Sequence, residues 1–316
     1  MRKWLPFVVI AVAAVGVIVF AEHRESGTEV GPRAILHIIA DSEREANRLP
    51  ARVWRLSDEE EIRIGDEMAD QYLVTDGFDP RDPEQQRIQA YVTRVGTSVA
   101  IHAHRRLPYR FHYVPDANLI NAFALPGGHV FIGGGMISLM HNEDELAAVL
   151  GHELEHVDLR HCAERVEFEA RMRKLDLGVA SEALSLPISL FKAGYSKELE
   201  LEADREGTQL AVSAGYSAEG AISMFEAMEQ TYRAAKQRPP GSPQEEAERV
   251  ALETLQGYFE SHPAAEERVA QIEQLAEARK WPEREMRSLQ PEIAAIFRRY
   301  RQPATAESSQ PPRILR

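Results

Sequence analysis

At 316 residues, 44% hydrophobic and 28% charged, the chain has the length and composition of one large or two modest folded domains. Its 50 acidic and 37 basic side chains give a formal net charge of −13, which argues against a nucleic-acid surface. The single cysteine, Cys162, excludes an internal disulfide framework but leaves the compartment open.

Met1-Arg-Lys-Trp is followed by an uncharged apolar run from Leu5 to Ala21. As a helix that run spans about 26 Å, slightly short of a ~30 Å bilayer core. We read residues 1–21 as an uncleaved membrane anchor; the alternative is a signal peptide cleaved after Val19-Phe20-Ala21. The basic N-terminus stays in the cytoplasm in either case. The remainder is then extracytoplasmic, either membrane-anchored or soluble in the periplasm. No cysteine lies near the junction, so a lipoprotein is excluded. Residues 22–50 form a linker whose apolar run, Ala34–Ala40, is too short to cross a membrane. It packs on the domain or lies at the membrane surface.

Residues 51–280 carry the folding signals. Ser57 and Glu60 form a capping box that opens a helix to about Leu73. The acidic run Asp58–Glu61 favours a helix N-terminus. Asp82-Pro83 starts a second helix with Ile88, Tyr91, Val92, Val95 and Val99 on one face. Tyr109–Val114 alternates as a strand does, and His129–Ile132 sits between Pro126-Gly-Gly and Gly133-Gly-Gly135. Together they predict a small sheet. Extended peptides commonly bind by adding a strand to such an edge, which makes Asn121, Ala122 and the 129–132 strand candidates to line a substrate cleft. The bland alternative is that the glycines only make turns. No Gly-Lys-Ser/Thr follows, so they are not a phosphate cradle. His102, His104, His112 and His141 read as surface residues.

The centre of the chain is His152-Glu153-Leu154-Glu155-His156 within Asn142–His161. Asn142 and Glu145 form a second capping box, and Leu146, Val149, Leu150 and Val157 make an apolar stripe at helical spacing. His152 and His156 then lie one turn apart on one face and can share a zinc ion. Glu153 falls within the apolar stripe, where an unsatisfied carboxylate costs on the order of 2–7 kcal/mol, and beside the ion it can act as general base. A charged surface helix that happens to carry two histidines is the alternative.

A catalytic zinc takes a third protein ligand and keeps one position open. Leu159 and Cys162 stand where a metzincin has glycine and histidine, so that pattern fails. His161 is about 180° round a continuing helix from His152 and cannot join the same ion. The best source is Tyr195–Gly207, in which Glu200 and Asp204 share a helix face and Glu200 can reach the metal. By composition alone the segment reads equally as a solvated acidic helix. Cys162 is expected to pack on the back of the zinc helix. Leu175–Phe191 is apolar but carries Asp176, Glu182 and Pro187, and core packing, a flap or an interfacial hairpin would explain it. Gly215 to about Gln237 supports a further helix, Arg238–Pro243 is a loop, and His262-Pro263 precedes a helix to about Lys280. Residues 281–316 are read as a helical then disordered tail, with no 34-residue helical repeat.

His152-Glu-x-x-His156 followed by Glu200-x-Glu202-Ala203-Asp204 resembles the zinc metallopeptidases that include HtpX, BepA, the mitochondrial Oma proteases and the CAAX prenyl endoprotease. The likeness extends to Asn121–Gly128, Arg160-His161 and Ser261-His262-Pro263…Glu267-Arg268, covering roughly residues 56–275. It is BepA-like without the tetratricopeptide extension, and the CAAX branch is disfavoured because only the first apolar run is a credible span. The resemblance implies an α+β, mostly helical gluzincin fold, zincin-like, with a small sheet beside the zinc helix in residues 51–280. It implies one zinc per chain held by His152, His156 and Glu200, with Glu153 as base and Asp204 in support. His262 and Arg268 are implied to return towards the site as substrate- or zinc-facing residues. The expected partner is a protein or peptide, misfolded or misassembled envelope proteins above all; the oligomeric state is open. The rival readings are a latent or chaperone-like zinc protein that cleaves rarely, and a structural site closed by His262.

Overall fold

The structure is a computed structural model that describes residues 55–173, 186–192, 194–236 and 265–301. The expectations for the Leu5–Ala21 run, residues 22–50, most of Leu175–Phe191, the 238–243 loop, His262 and the 303–316 tail lie outside the described residues. Among the described residues no helix is long and apolar enough to cross a membrane.

Two helices open the domain, α1 (Asp58–Leu73) and α2 (Pro83–Ala100). The predicted capping box forms: Ser57 Oγ accepts from the Glu60 amide, and the Glu60 carboxylate accepts from the Ser57 amide. Within the acidic run, Glu61 does more than favour the helix end. It is fully buried and paired with Arg105 at 2.5 Å and Arg160 at 3.4 Å. The run's effect on the helix dipole was readable locally; these partners, distant in sequence, were not. In α2, Asp82 caps the helix, Pro83 begins it, and Ile88, Tyr91, Val92, Val95 and Val99 are all buried.

The sheet has three strands, β1 (Arg110–Val114), β2 (Ala122–Leu125) and β3 (His129–Gly133), in the order β1-β3-β2. Strand β3 runs parallel to β1 and antiparallel to β2. The predicted cleft strand 129–132 is therefore the middle strand, buried at every residue and hydrogen-bonded on both sides, so it has no free edge to offer. Strand β2 is an edge instead. The Gly133 amide donates to the Asn121 carbonyl, so by two-residue alternation the backbone polar groups of Ala122 face away from β3. His112, read as a surface residue, is half-buried and stacked on Phe131 in this sheet.

After the short α3 (Gly134–Leu139) comes α4 (Glu143–Asp158), the helix around which the domain is built. All its residues except Val149 are buried, and it packs against α2, β2 and the later α7 (Lys197–Ser213) and α8 (Glu219–Lys236). Leu146, Leu150, Leu154 and Val157 are fully buried, each contributing about 1.5–3 kcal/mol. Its acidic first turn is held by other elements. Glu143 takes bonds from Tyr91, Arg94 and Tyr216, Asp144 from the Ser217 and Arg287 amides, and Glu145 from Ser223.

Arg160 adopts a positive φ of 70° and ends the run, and α5 (His161–Arg173) leaves in a new direction. The short α6 (Ser189–Lys192) lies against β2. Of the Leu175–Phe191 segment, the described residues Leu186 and Phe191 are buried. Helix α9 (Ala265–Arg279) packs on α7 and α8. The folded body was drawn to residue 280, but it continues further. Residues 281–290 run along the domain, bridging Asn142 through Ser288, and α10 (Pro291–Arg301) buries Ile293, Ile296 and Phe297.

Candidate metal centre

Three donors meet where α4 crosses α7. His152 Nε2 and His156 Nε2 are 3.1 Å apart, and the Glu200 carboxylate lies 3.3 Å from the first and 3.7 Å from the second. A tetrahedral ion with bonds of about 2.0–2.1 Å separates its ligands by roughly 3.3–3.4 Å. The spacing fits, and the donor set of two imidazoles and one carboxylate suits zinc. The crossing is close because both helices place glycine there. A Cβ built on Gly207 would lie 2.6 Å from the His152 amide nitrogen, and one on Gly151 2.6 Å from the Gly207 carbonyl.

Each donor is oriented from behind. His152 Nδ1 lies 2.8 Å from Asp204 Oδ1, so an Nδ1–H donated there leaves the Nε2 lone pair facing the ion. Asp204 is clamped by Arg268, whose Nε and Nη2 donate at 2.6 and 2.5 Å. Both are almost fully buried, at 2% and 1% exposure. Burial alone would raise the Asp204 carboxyl, but the Arg268 charge and its hydrogen bonds hold it well below the usual carboxylate range. Burial likewise opposes charge on His152, yet the hydrogen bonds and charges of Asp204 and Glu200 raise that imidazole, an attraction for positive charge that a bound cation would take over. His156 Nδ1 is 2.9 Å from His161 Nδ1, and His161 Nε2 is 3.7 Å from Glu202. Tyr195 stacks on His156 with ring centroids 4.1 Å apart, and its amide donates to Glu200 Oε1 at 2.8 Å.

Glu153 is buried beside this group, and burial pushes its carboxyl up to about 7. A cavity of about 20 Å³, room for roughly one water, opens next to His152 and Glu153. Its apolar wall includes Ala122, Met136, Met224, Phe225 and Met228.

The structure thus brings His152, Glu153, His156, Glu200 and Asp204 together. Ala122 reaches the cavity. Asn121 does not reach the donors: its side chain donates to the Lys192 carbonyl at 3.2 Å, which ties β2 to α6. Arg268 also lines the cavity, and its guanidinium pairs with Asp204, a buried carboxylate that needs a counter-charge. Cys162 is buried behind α4, accepting from the Tyr195 hydroxyl and donating to the Ala124 carbonyl. His161, Glu202 and Tyr195 were not assigned as supports. Their clue was proximity in sequence to the motifs, but their contacts depend on the turn at Arg160.

A family model described as Peptidase family M48 matches residues 82–276. Among curated proteins, the mitochondrial metalloendopeptidase OMA1 of Schizosaccharomyces pombe is 30% identical over 200 residues, covering 61% of this chain and 54% of that protein. The beta-barrel assembly-enhancing protease of Escherichia coli K12 is 27% identical over 168 residues, 48% of this chain and 34% of its own length. That of Yersinia pestis is 32% identical over 145 residues, 40% and 29% respectively. The chain spans between about a third and a half of the length of these relatives.

Proposed function

The chain belongs to peptidase family M48, and from that membership we propose that it is a zinc-dependent metalloendopeptidase. The observation that carries the reading is the convergence of His152, His156 and Glu200 with Glu153 buried beside them. Three protein donors are the number catalytic zinc sites use, with a position left for water. When bound, the metal supplies Lewis-acid activation of the scissile carbonyl and the attacking water.

The chain's own residues supply the proton chemistry and the geometry. Glu153, with its carboxyl lifted by burial, takes a proton from the attacking water and returns it to the leaving amine. Asp204 holds His152 in the tautomer that presents Nε2, and Arg268 keeps Asp204 ionised. Ala122, on an edge strand beside the cavity, offers backbone groups to an extended peptide.

The substrates we assign are misfolded or misassembled envelope proteins. Support comes from the resemblance to BepA-type enzymes and from a relative named for enhancing beta-barrel assembly. The Leu5–Ala21 run would hold the domain at the membrane on the periplasmic side, or be cleaved to release it there.

The test is cleavage of an unfolded protein such as casein by the purified chain, with bound zinc assayed. Wild type should cleave and carry zinc, while Glu153→Gln should keep the metal and lose about 10²–10⁴-fold in rate. Full proteolysis by Glu153→Gln would remove Glu153 from the mechanism. Zinc binding without any cleavage by wild type would favour a chaperone-like protein.

A further inference from the structure

A second group of donors lies on another face of α4. Glu155 and Asp158, in its last turn, and His104, in the loop after α2, place ligand atoms within 4.8 Å of one another. None of the three belongs to the centre described above. His104 Nδ1 is 3.0 Å from Asp158 Oδ2. A tetrahedral ion with bonds of about 2.0–2.2 Å separates its ligands by roughly 3.3–3.6 Å, so this pair opens by a few tenths of an ångström to share one.

Asp158 is fixed before any ion arrives. Its carboxylate accepts from the His104 amide at 2.8 Å, the Arg105 amide at 2.7 Å and the Tyr109 hydroxyl at 2.8 Å. Glu155 is the opposite case. It is fully buried, and neither carboxylate oxygen has a hydrogen-bond partner among the described residues. The like charges that act on it are the carboxylates Asp158, Glu206 and Glu202, opposed less strongly by His152. Of these, Glu206 is paired with Arg205 and Arg279, and Glu202 with Arg205 and His161. Glu155 has no such counter-charge among the described ion pairs. A buried carboxylate in that state is costly unless a cation meets it. The Arg105 guanidinium already meets the Val157 carbonyl at this end of α4, but its ion pairs are with Asp58 and Glu61, not with Glu155.

We propose that His104, Glu155 and Asp158 form a second divalent-metal site, and that its ion is zinc. One imidazole with two carboxylates favours zinc over calcium or magnesium, which prefer all-oxygen shells. The His104 side chain is 74% exposed, so the ion enters from solvent and keeps water on that side. Bound there, it fastens the loop before β1 to the last turn of the helix that carries His152 and His156.

The experiment is equilibrium dialysis of the full, metal-stripped chain against zinc, read by mass spectrometry of bound metal and by thermal unfolding. Wild type should bind two equivalents, and Tm should rise with each. His104→Ala, at an exposed position, and Glu155→Gln should each bind one equivalent and lose the second rise. Glu200→Gln should lose the other equivalent and keep this one, so failure of the catalytic reading and of this one are separable. If wild type saturates at one equivalent, or a second survives in both His104→Ala and Glu155→Gln, the proposal is overturned. A single equivalent together with a more stable Glu155→Gln would show that Glu155 is simply buried as a neutral acid.

Discussion

Arg268 sets the state of His152, one of the three candidate metal donors, without being a donor itself. Its guanidinium is bidentate on Asp204, whose other contact is His152 Nδ1. Removing one partner of a buried pair leaves an uncompensated charge that costs about 3–5 kcal/mol. Arg268→Ala is therefore expected to lower the unfolding free energy by that much and to weaken zinc binding. Arg268→Lys keeps the charge but cannot reproduce the fork, so it should fold and still bind zinc less tightly. Unfolding curves and zinc titrations of the two variants check this, and unchanged zinc affinity in both would show that Asp204 orients His152 unaided. His152, Glu153 and His156 were legible in the sequence because one helical turn relates them. The role of Arg268 was not, since its partner lies 64 residues away and only packing brings them together.

Among the elements, the crossing of α4 and α7 decides where Glu200 sits, and Gly151 and Gly207 allow it. Gly207→Ala places a methyl group against the backbone of α4, which cannot give way as a side chain tip would. The expected cost is about 1–3 kcal/mol. The displaced Glu200 should also weaken zinc binding, measurable by competition with a chelator. Zinc affinity equal to wild type would place the helices further apart than described. The sequence offered two glycines inside helical patterns, but nothing local shows that they face each other.

The sheet carries a pH dependence of its own. Burial, then the charges of His129 and Arg110, lower the His112 imidazole to about 4. An unfolded histidine titrates near about 6.5. Between those values the unfolded chain binds the proton and the folded one does not, so stability is full above about 6.5 and falls as the pH drops towards about 4. His112→Gln keeps a hydrogen-bonding partner for His129 Nδ1, now 3.0 Å from His112 Nε2, and has no charge to gain. Denaturant midpoints across that window should fall less steeply in the variant. Parallel slopes would assign the dependence to another group.

For the whole molecule, the body closes through its last described residues. The Arg287 amide donates to Asp144 and its carbonyl accepts from Glu143, so the 281–290 segment is fastened across the start of α4. Helix α10 then buries Phe297 completely. Phe297→Ala should cost about 3–5 kcal/mol in a denaturant titration, whereas an unpacked tail would lose nothing. The spacing of Ile293, Ile296 and Phe297 is legible as one apolar helix face. That it joins the main core was not, because a polar stretch separates it from the preceding helix.

One consequence follows from the pairing of Asp204 with Arg268. As the chain leaves the ribosome, the two histidines, the general base and Glu200 all emerge before the residue that neutralises Asp204. Until Arg268 is available, Asp204 has no guanidinium to pair with, and the folded arrangement around His152 cannot close. The pair that orients His152 is thereby completed late in synthesis.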